Sequence, residues 1–312
     1  GWAVYQHNGD IYKCGVGGSP VKLIDGSYQH ACWSADGKYV YAITSGGNLS
    51  KVANDGSGLV NLGDIGSGDS KCPIATYRPD ASYVLYVGGS KFYKVDGSTG
   101  IKTVVHDDGS TNYDGEFAIS AAGDRIAARD SNSDLQAITV GGGKHEYSTT
   151  CSSSISPDGT KLTANGGNHL DMLVYNWGTW SSTTLHSTQH GWDNQRFAAN
   201  SNDYIVYSYD DVKRNTRDGI GVIRVSTDSN THVVDVSGFW NESHADFWVG
   251  SLPSVGGGNS APSVNLTANT TSGTAPLTVN FDANSSDPDG DTLDHRWDWS
   301  YSGSFNNEYD SN

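Results

Sequence analysis

The sequence predicts an all-β protein: a six-bladed β-propeller over residues 1–252, closed by strands from its two ends, followed by a smaller β module. Three observations carry this. A turn signal between two β-rich runs recurs at positions 36, 80, 122, 158 and 202, in steps of 44, 42, 36 and 44 residues. The runs between are short, β-branched and aromatic, and are bounded by Gly, Asp, Asn and Ser, which is the signature of strands joined by turns. No convincing amphipathic helix interrupts them.

Taken in order, the N-terminus supplies three strands, Trp2–His7, Asp10–Gly15 and Val21–Ile24. The second unit is marked by Ser34-Ala-Asp36-Gly37 before Lys-Tyr-Val-Tyr-Ala and continues with Leu49–Val52 and Leu59–Leu62. The third is marked by Arg78-Pro79-Asp80 and continues with Lys91–Val95 and Ile101–Val105. Ser120-Ala-Ala-Gly123, Ser156-Pro157-Asp158-Gly159 and the degenerate Asn200-Ser-Asn-Asp203 mark the remaining three. Four strands in a repeat of this length form a propeller blade. The first blade is one strand short, and His244-Ala-Asp-Phe-Trp-Val-Gly250 supplies it, its His-Ala start matching His30-Ala31. Closing the ring in this way removes an open sheet edge.

Composition narrows the function. Asp and Glu number 35 against 19 Lys and Arg, a net charge of −16, which repels phosphate and argues against a nucleic-acid partner. No apolar run approaches the roughly 18 residues of a membrane span. An acidic chain poor in Lys and rich in Asn, Ser, Thr and Gly suits an extracellular or cell-surface protein. Its opening at Gly1-Trp2, without initiator Met or leader, is the start expected of a mature chain. Four Cys allow three pairings, of which Cys14–Cys32 would join blades one and two and Cys72–Cys151 would cross the channel.

Two resemblances rest on particular residues. Trp33-Ser-Ala-Asp-Gly-Lys38 and Ser156-Pro-Asp-Gly-Thr-Lys161, with the repeat period, resemble the TolB-like (WD40-like) propellers. That resemblance implies the fold and little about function, because the fold hosts binders, lyases and scaffolds alike. After a Gly/Ser/Pro linker at 253–262, Pro276-Leu-Thr-Val-Asn-Phe281, Asp287-Pro-Asp-Gly-Asp291 and Arg296-Trp-Asp-Trp299 resemble the PKD domain, an immunoglobulin-like β-sandwich. The resemblance covers 263–312 and lacks the closing strands, which implies a partial module or a larger multidomain chain. Asp287, Asp289 and Asp291 present carboxylates at alternate positions, a donor type that suits Ca²⁺.

In a propeller the loops entering the innermost strands open on one face of the channel, and here they are polar and aromatic. They offer Tyr28, Gln29 and His30 from blade two. Blade six adds Gln189, His190, Trp192 and Asp193, and the closing strand of blade one adds Trp240 and His244. Lys71, Asp114, Glu116 and Thr150 face them from the other blades. The three His admit three readings: a site for Zn²⁺ or Mn²⁺, acid–base catalysis of a polysaccharide lyase or hydrolase, or hydrogen bonding that only shapes the channel. Trp and Tyr at such a mouth stack on sugar rings. The leading expectation is therefore recognition of a polysaccharide or glycan at the channel mouth. An enzyme using His30, His190 and His244 is the alternative, and a self-assembling structural surface protein is the second. No motif for an organic cofactor is present. Asp107-Asp108, Asp130/Asp134 and Asp210-Asp211 read as solvated turns.

Overall fold

The computed structural model describes residues 1–66, 73–147, 152–165, 172–185, 191–210, 219–235, 244–255, 263–286, 295–297 and 309–311. For Asp114, for Asp210, for 191–193 and for the last two of these segments only the backbone is described. The chain divides into two units, Gly1–Val255 and Gly256–Asn312.

The first unit is a six-bladed propeller without helices among the described residues. Blade one contains β1 (Trp2–His7), β2 (Asp10–Gly15) and β3 (Val21–Ile24). Blade two contains β4 (Tyr28–Trp33), β5 (Tyr39–Thr44), β6 (Asn48–Ala53) and β7 (Val60–Asp64). Blade three runs β8 (Ile74–Thr76), β9 (Tyr83–Gly88), β10 (Lys91–Asp96) and β11 (Lys102–Asp107). Blade four runs β12 (Tyr113–Ile119), β13 (Arg125–Asp130), β14 (Leu135–Thr139) and β15 (Lys144–Tyr147). Blade five has β16 (Ser153–Ile155), β17 (Lys161–Asn165), β18 (Met172–Asn176) and β19 (Ser182–Leu185). Blade six has β20 (Gly191–Phe197), β21 (Tyr204–Asp210), β22 (Gly219–Arg224) and β23 (Ser229–Asp235). A last strand, β24 (Asp246–Trp248), pairs antiparallel with β1, Trp2 opposite Trp248, and becomes the innermost strand of blade one.

The repeat signal is a side-chain-locked turn. Ser34 Oγ donates to Asp36 Oδ1 (2.6 Å) and accepts from Tyr39 N (2.9 Å), while Gly37 takes φ +71°. Ser156 and Asp158 repeat the arrangement, with Gly159 at φ +72°. Where position 122 is Ala, the Ser120 hydroxyl turns to Asp124 instead (2.8 Å).

Alternation along each strand sends successive side chains to opposite neighbours. In β5, Val40 and Ala42 join the core shared with blade one, while Tyr41 and Ile43 join the core shared with blade three. Each blade interface holds one such apolar core. Cys14 lies in the core between blades one and six, and Cys32 in the core between blades two and three. The expected Cys14–Cys32 bridge is therefore absent, both thiols being buried on opposite sides of different blades. Cys72 and Cys151 fall outside the described residues.

One end of the channel is held by two buried charges. Arg78, in the turn after β8, donates through Nη1 to the carbonyls of Ile119 (2.9 Å) and Ile155 (2.7 Å). Through Nη2 it donates to Phe197 (3.0 Å) and Ala198 (3.4 Å). These carbonyls end the innermost strands of blades four, five and six. Asp246 of blade one accepts from Trp33 N (3.0 Å) in blade two and from the Thr76 hydroxyl (2.8 Å) in blade three. Burial lowers the Arg78 guanidinium to about 10, offset in part by Asp246, so it remains cationic at neutral pH.

The second unit contains two antiparallel pairs, β25 (Ser263–Ala268) with β26 (Phe281–Ser286) and β27 (His295–Trp297) with β28 (Tyr309–Ser311). An immunoglobulin-like sandwich is not seen among the described residues, and Asp287, Asp289 and Asp291 lie outside them.

Arg78→Met removes one member of a buried charged set and strands the carbonyls it serves, a loss of about 3–5 kcal/mol. Urea unfolding should show that loss, and Arg78→Lys should restore little of it, because an ammonium cannot fork to carbonyls of three blades. A full rescue by Lys would show that charge alone is what the site requires.

Candidate functional site

At the other end of the channel the innermost strands begin, and three of them begin irregularly. Register shifts fall between Tyr28 and His30 against β5, between Tyr113 and Phe117 against β13, and between Asp193 and Arg196 against β21. A bulge adds a residue to one strand and re-aims its side chains. Here the re-aimed residues include His30, Glu116, Gln195 and Arg196.

His30 and Glu116 meet at His244, with Arg196 close to His30, whereas Gln195 accepts from the Thr163 hydroxyl of blade five (3.4 Å). The His30 and His244 rings stand 4.5 Å apart between centroids, tilted by 59°. His244 Nδ1 lies 3.4 Å from Glu116 Oε1. Glu116 belongs to blade four and His244 leads into blade one, so this contact spans the channel between opposite blades. His30 is 5% exposed and Glu116 3%, while the His244 side chain keeps 16% and reaches solvent. Ser153 Oγ donates to the Glu116 carbonyl (2.7 Å) and fixes its backbone from blade five.

The electrostatics follow from burial. Desolvation, then the neighbouring His244 and Arg196, hold the His30 imidazole well below its ordinary value of 6.5. His30 is therefore neutral at physiological pH, and its Nδ1 has no hydrogen-bond partner among the described residues. A buried polar atom without a partner is rare, and each one needs a reason.

The other expected site residues are placed as follows. Tyr28 is half-buried, its hydroxyl donating to Ser50 Oγ (3.0 Å), and Gln29 is exposed beside it. Trp192 and Asp193 begin β20, but their side chains, like that of Asp114, are not described. Gln189, His190 and Trp240 lie outside the described residues, as do Lys71 and Thr150. Sequence reasoning missed Arg196 and Gln195, both buried at the bulge of β20. A charged residue directly before the apolar Phe197-Ala-Ala run was the available signal. It also placed Asp130 in a solvated turn, whereas Asp130 is 2% exposed, drawn inward by the strand pairing that sets it opposite Tyr113. Trp177 and Trp180 pack against the core between blades four and five, and Trp248 packs against that between blades one and two.

No protein-family model matches the sequence, and no curated protein resembles it significantly. Solved structures do resemble the fold. TolB from Acinetobacter baumannii superposes with a TM-score of 0.59 at 12% identity, over 79% of this chain and 66% of that one. A protein assigned as TolB from Agrobacterium tumefaciens gives 0.53 at 12% identity, over 79% of this chain and 98% of that one. An oligogalacturonate lyase in complex with manganese gives 0.49 at 14% identity, over 74% and 72%. The two TolB likenesses, at 12% identity, show the class of fold, a six-bladed β-propeller, and nothing finer.

The depressed His30 makes a pH prediction. Below pH 6.5 the unfolded chain takes up a proton at this residue and the folded chain does not, so stability falls as the pH falls. The slope from this group is at most about 1.4 kcal/mol per pH unit. Urea unfolding between pH 7.5 and 5.5 should therefore be less pH-dependent in His30→Gln than in the wild type. Identical slopes would show that His30 titrates normally in the fold.

Proposed function

We propose that this is an extracellular or cell-surface recognition protein that binds carbohydrate at the mouth of its propeller channel. The observation that carries the reading is the His30–His244–Glu116 set, brought together from three blades with Arg196 beside it. It offers an acceptor carboxylate and a neutral imidazole with an open nitrogen. Cationic and imidazole N–H donors stand opposite. A sugar hydroxyl both donates and accepts, so vicinal hydroxyls match such a set well. Strand bulges rather than loop tips hold His30, Glu116 and Arg196, which lowers the ordering cost of binding. Tyr28 and Gln29 form the described rim, and Trp192 and Trp240 are the expected stacking residues beside it. The PKD-like segment at 263–312 would then space or present the propeller.

A second reading is favoured by one feature. A His in contact with a carboxylate beside a neutral His is an acid–base arrangement, which fits a polysaccharide lyase or hydrolase acting through His30, His190 and His244. The two readings separate on one preparation. Glycan arrays followed by calorimetry should show binding without turnover, weakened roughly tenfold by Glu116→Gln or His244→Ala, the effect of losing one hydrogen bond to a charged group. Melting temperatures should stay within a few degrees of wild type. Product formation abolished by His244→Ala would replace recognition by catalysis. Binding that ignores both substitutions, or assembly in solution with no glycan bound, would overturn the channel mouth as the site.

A further inference from the structure

Two tryptophans, two tyrosines and a histidine meet away from the channel, at the outer edge of blades four and five. Trp177 and Trp180 lie in the loop between β18 and β19, Tyr175 lies on β18, and His145 and Tyr147 lie on β15, the outermost strand of blade four. The His145 and Trp180 rings stack, 4.3 Å apart between centroids with 6° between their planes. Trp177 stands 5.4 Å from Trp180, and Tyr147 stands 4.5 Å from Tyr175. The tryptophans and tyrosines are half-buried on the core between the blades and His145 is exposed, so the cluster meets solvent. Trp177 N donates to the carbonyl of Thr160 (2.8 Å), in the turn that follows β16. The cluster therefore belongs to the Arg78 end of the propeller, opposite the end that holds His30 and His244.

The turn does not call for Trp180. Blades three, five and six join their last two strands through four-residue loops, 97–100, 177–180 and 225–228. The fourth residue has positive φ in each: Gly100 (+71°), Trp180 (+58°) and Asp228 (+48°). Gly adopts that conformation freely and Asp tolerates it, whereas a bulky side chain carries it against the preference of its own backbone. Nor is an indole needed to close one blade against the next. In blade three the same loop closes on blade two with Gly100, where an added Cβ would stand 2.4 Å from the Leu62 carbonyl oxygen. Trp180 is thus an indole held at a strained position, only half-buried and stacked on an exposed ring, and such strain is characteristic of residues kept for the use of their surface.

The geometry points to a second carbohydrate site, outside the channel, whose ligand is a neutral pyranose ring of a polysaccharide. Such a ring has an apolar C–H face, which stacks on indole, and a rim of hydroxyls, which donate and accept. The loop supplies a matching rim. Asn176, Thr179 and Ser181 are exposed, with Asn176 Nδ2 donating to Ser181 Oγ (3.1 Å) and Thr179 Oγ1 in hydrogen-bond contact with Ser181 Oγ (3.1 Å). The charged residues of β15 are turned to its other face, away from His145 and Tyr147. There Lys144 pairs with Asp108 (2.7 Å) and Glu146 accepts from Gln136 (2.8 Å). The Arg125 guanidinium lies over Trp177 (4.9 Å) and donates to the Gly159 carbonyl (2.9 Å), so the rim beside Trp180 is formed by uncharged groups. This site stands independently of the mouth.

The test titrates the full chain, labelled with fluorotryptophan, with the neutral oligosaccharides cellohexaose, xylohexaose, mannohexaose and chitohexaose. Fluorine NMR reads the Trp177 and Trp180 resonances, assigned with Trp177→Phe and Trp180→Phe. Both should move with at least one of the sugars, with a Kd of about 1 mM or tighter. Trp180→Gly gives blade five the residue that blade three uses, which keeps the turn, and should weaken binding at least about tenfold as read at Trp177. His145→Ala, an exposed change, should weaken binding several-fold with the melting temperature held within a few degrees, and it decides the matter if Trp180→Gly fails to fold. Glu116→Gln and His244→Ala should leave these shifts as in the wild type, so a failure at the mouth and a failure here are told apart. No movement of either resonance with any of the sugars at about 10 mM, roughly ten times that Kd, overturns the proposal, as does binding that ignores both Trp180→Gly and His145→Ala.

Discussion

The propeller depends on the axial pair formed by Arg78 and Asp246. Apolar cores join each blade to its two neighbours, but nothing in such a core relates one blade to the blade opposite. Arg78 and Asp246 do so. One guanidinium from blade three caps carbonyls in blades four, five and six, and one carboxylate from blade one ties blades two and three. Both groups are buried, where each would be strongly unfavourable alone. Each lies in the field of the other, and their hydrogen-bonding partners are mostly backbone groups that the strand ladders leave over at the axis.

The mouth inherits its geometry from this closure. His244 is two residues before Asp246 in the same short segment, so the groups that position Asp246 also set the depth of His244. Glu116 is three residues before Ile119, whose carbonyl Arg78 holds. A contact of 3.4 Å between opposite blades thus rests on one strand pinned at Asp246, where it begins, and another pinned at Ile119, where it ends. The bulges at Tyr28–His30, Tyr113–Phe117 and Asp193–Arg196 supply the remaining freedom, turning side chains toward the axis that regular pairing would send into the blade interfaces.

The blades were legible in the sequence because their determinants are local. Ser-x-Asp-Gly turns need only neighbouring residues, and Trp2–His7, Asp10–Gly15 and Val21–Ile24 appear as strands with the expected bounds. The return of the last strand to blade one followed from counting strands and from the likeness of His244-Ala245 to His30-Ala31. The hub was visible only as a departure. Arg78 occupies the position that Ser34, Ser120 and Ser156 hold in their units, and a long cation in place of a turn hydroxyl has to find its partners elsewhere. Glu116 opposite His244 was less accessible still, because the facing of blades one and four is a property of the ring. The disulfide expectation failed for a related reason: proximity in sequence says nothing about which side of a blade a side chain faces, and Cys14 and Cys32 face away from each other.

Charge balance distinguishes the axial groups from the polar set of Asp130, Gln136 and Glu146 in blade four. Around the axis, the described side chains Arg78 and Arg196 oppose Asp246 and Glu116, two cations against two anions, all buried. Protonating His30 would unbalance this set in a medium that solvates charge poorly, which is why its imidazole stays neutral. Among the described side chains the charges at the axis are therefore already paired. The blade-four set is compensated differently, by neutral donors. There Asp130 and Glu146 both accept from Gln136 Nε2 (3.0 and 2.8 Å), and Asp130 accepts as well from the backbone N–H groups of Asn132 and Asp134. Water can screen Glu146 at the surface but not Asp130 in the interior. The same physical requirement, that buried charge be compensated, is met at the axis by opposite charges and in blade four by hydrogen-bond donors around Asp130.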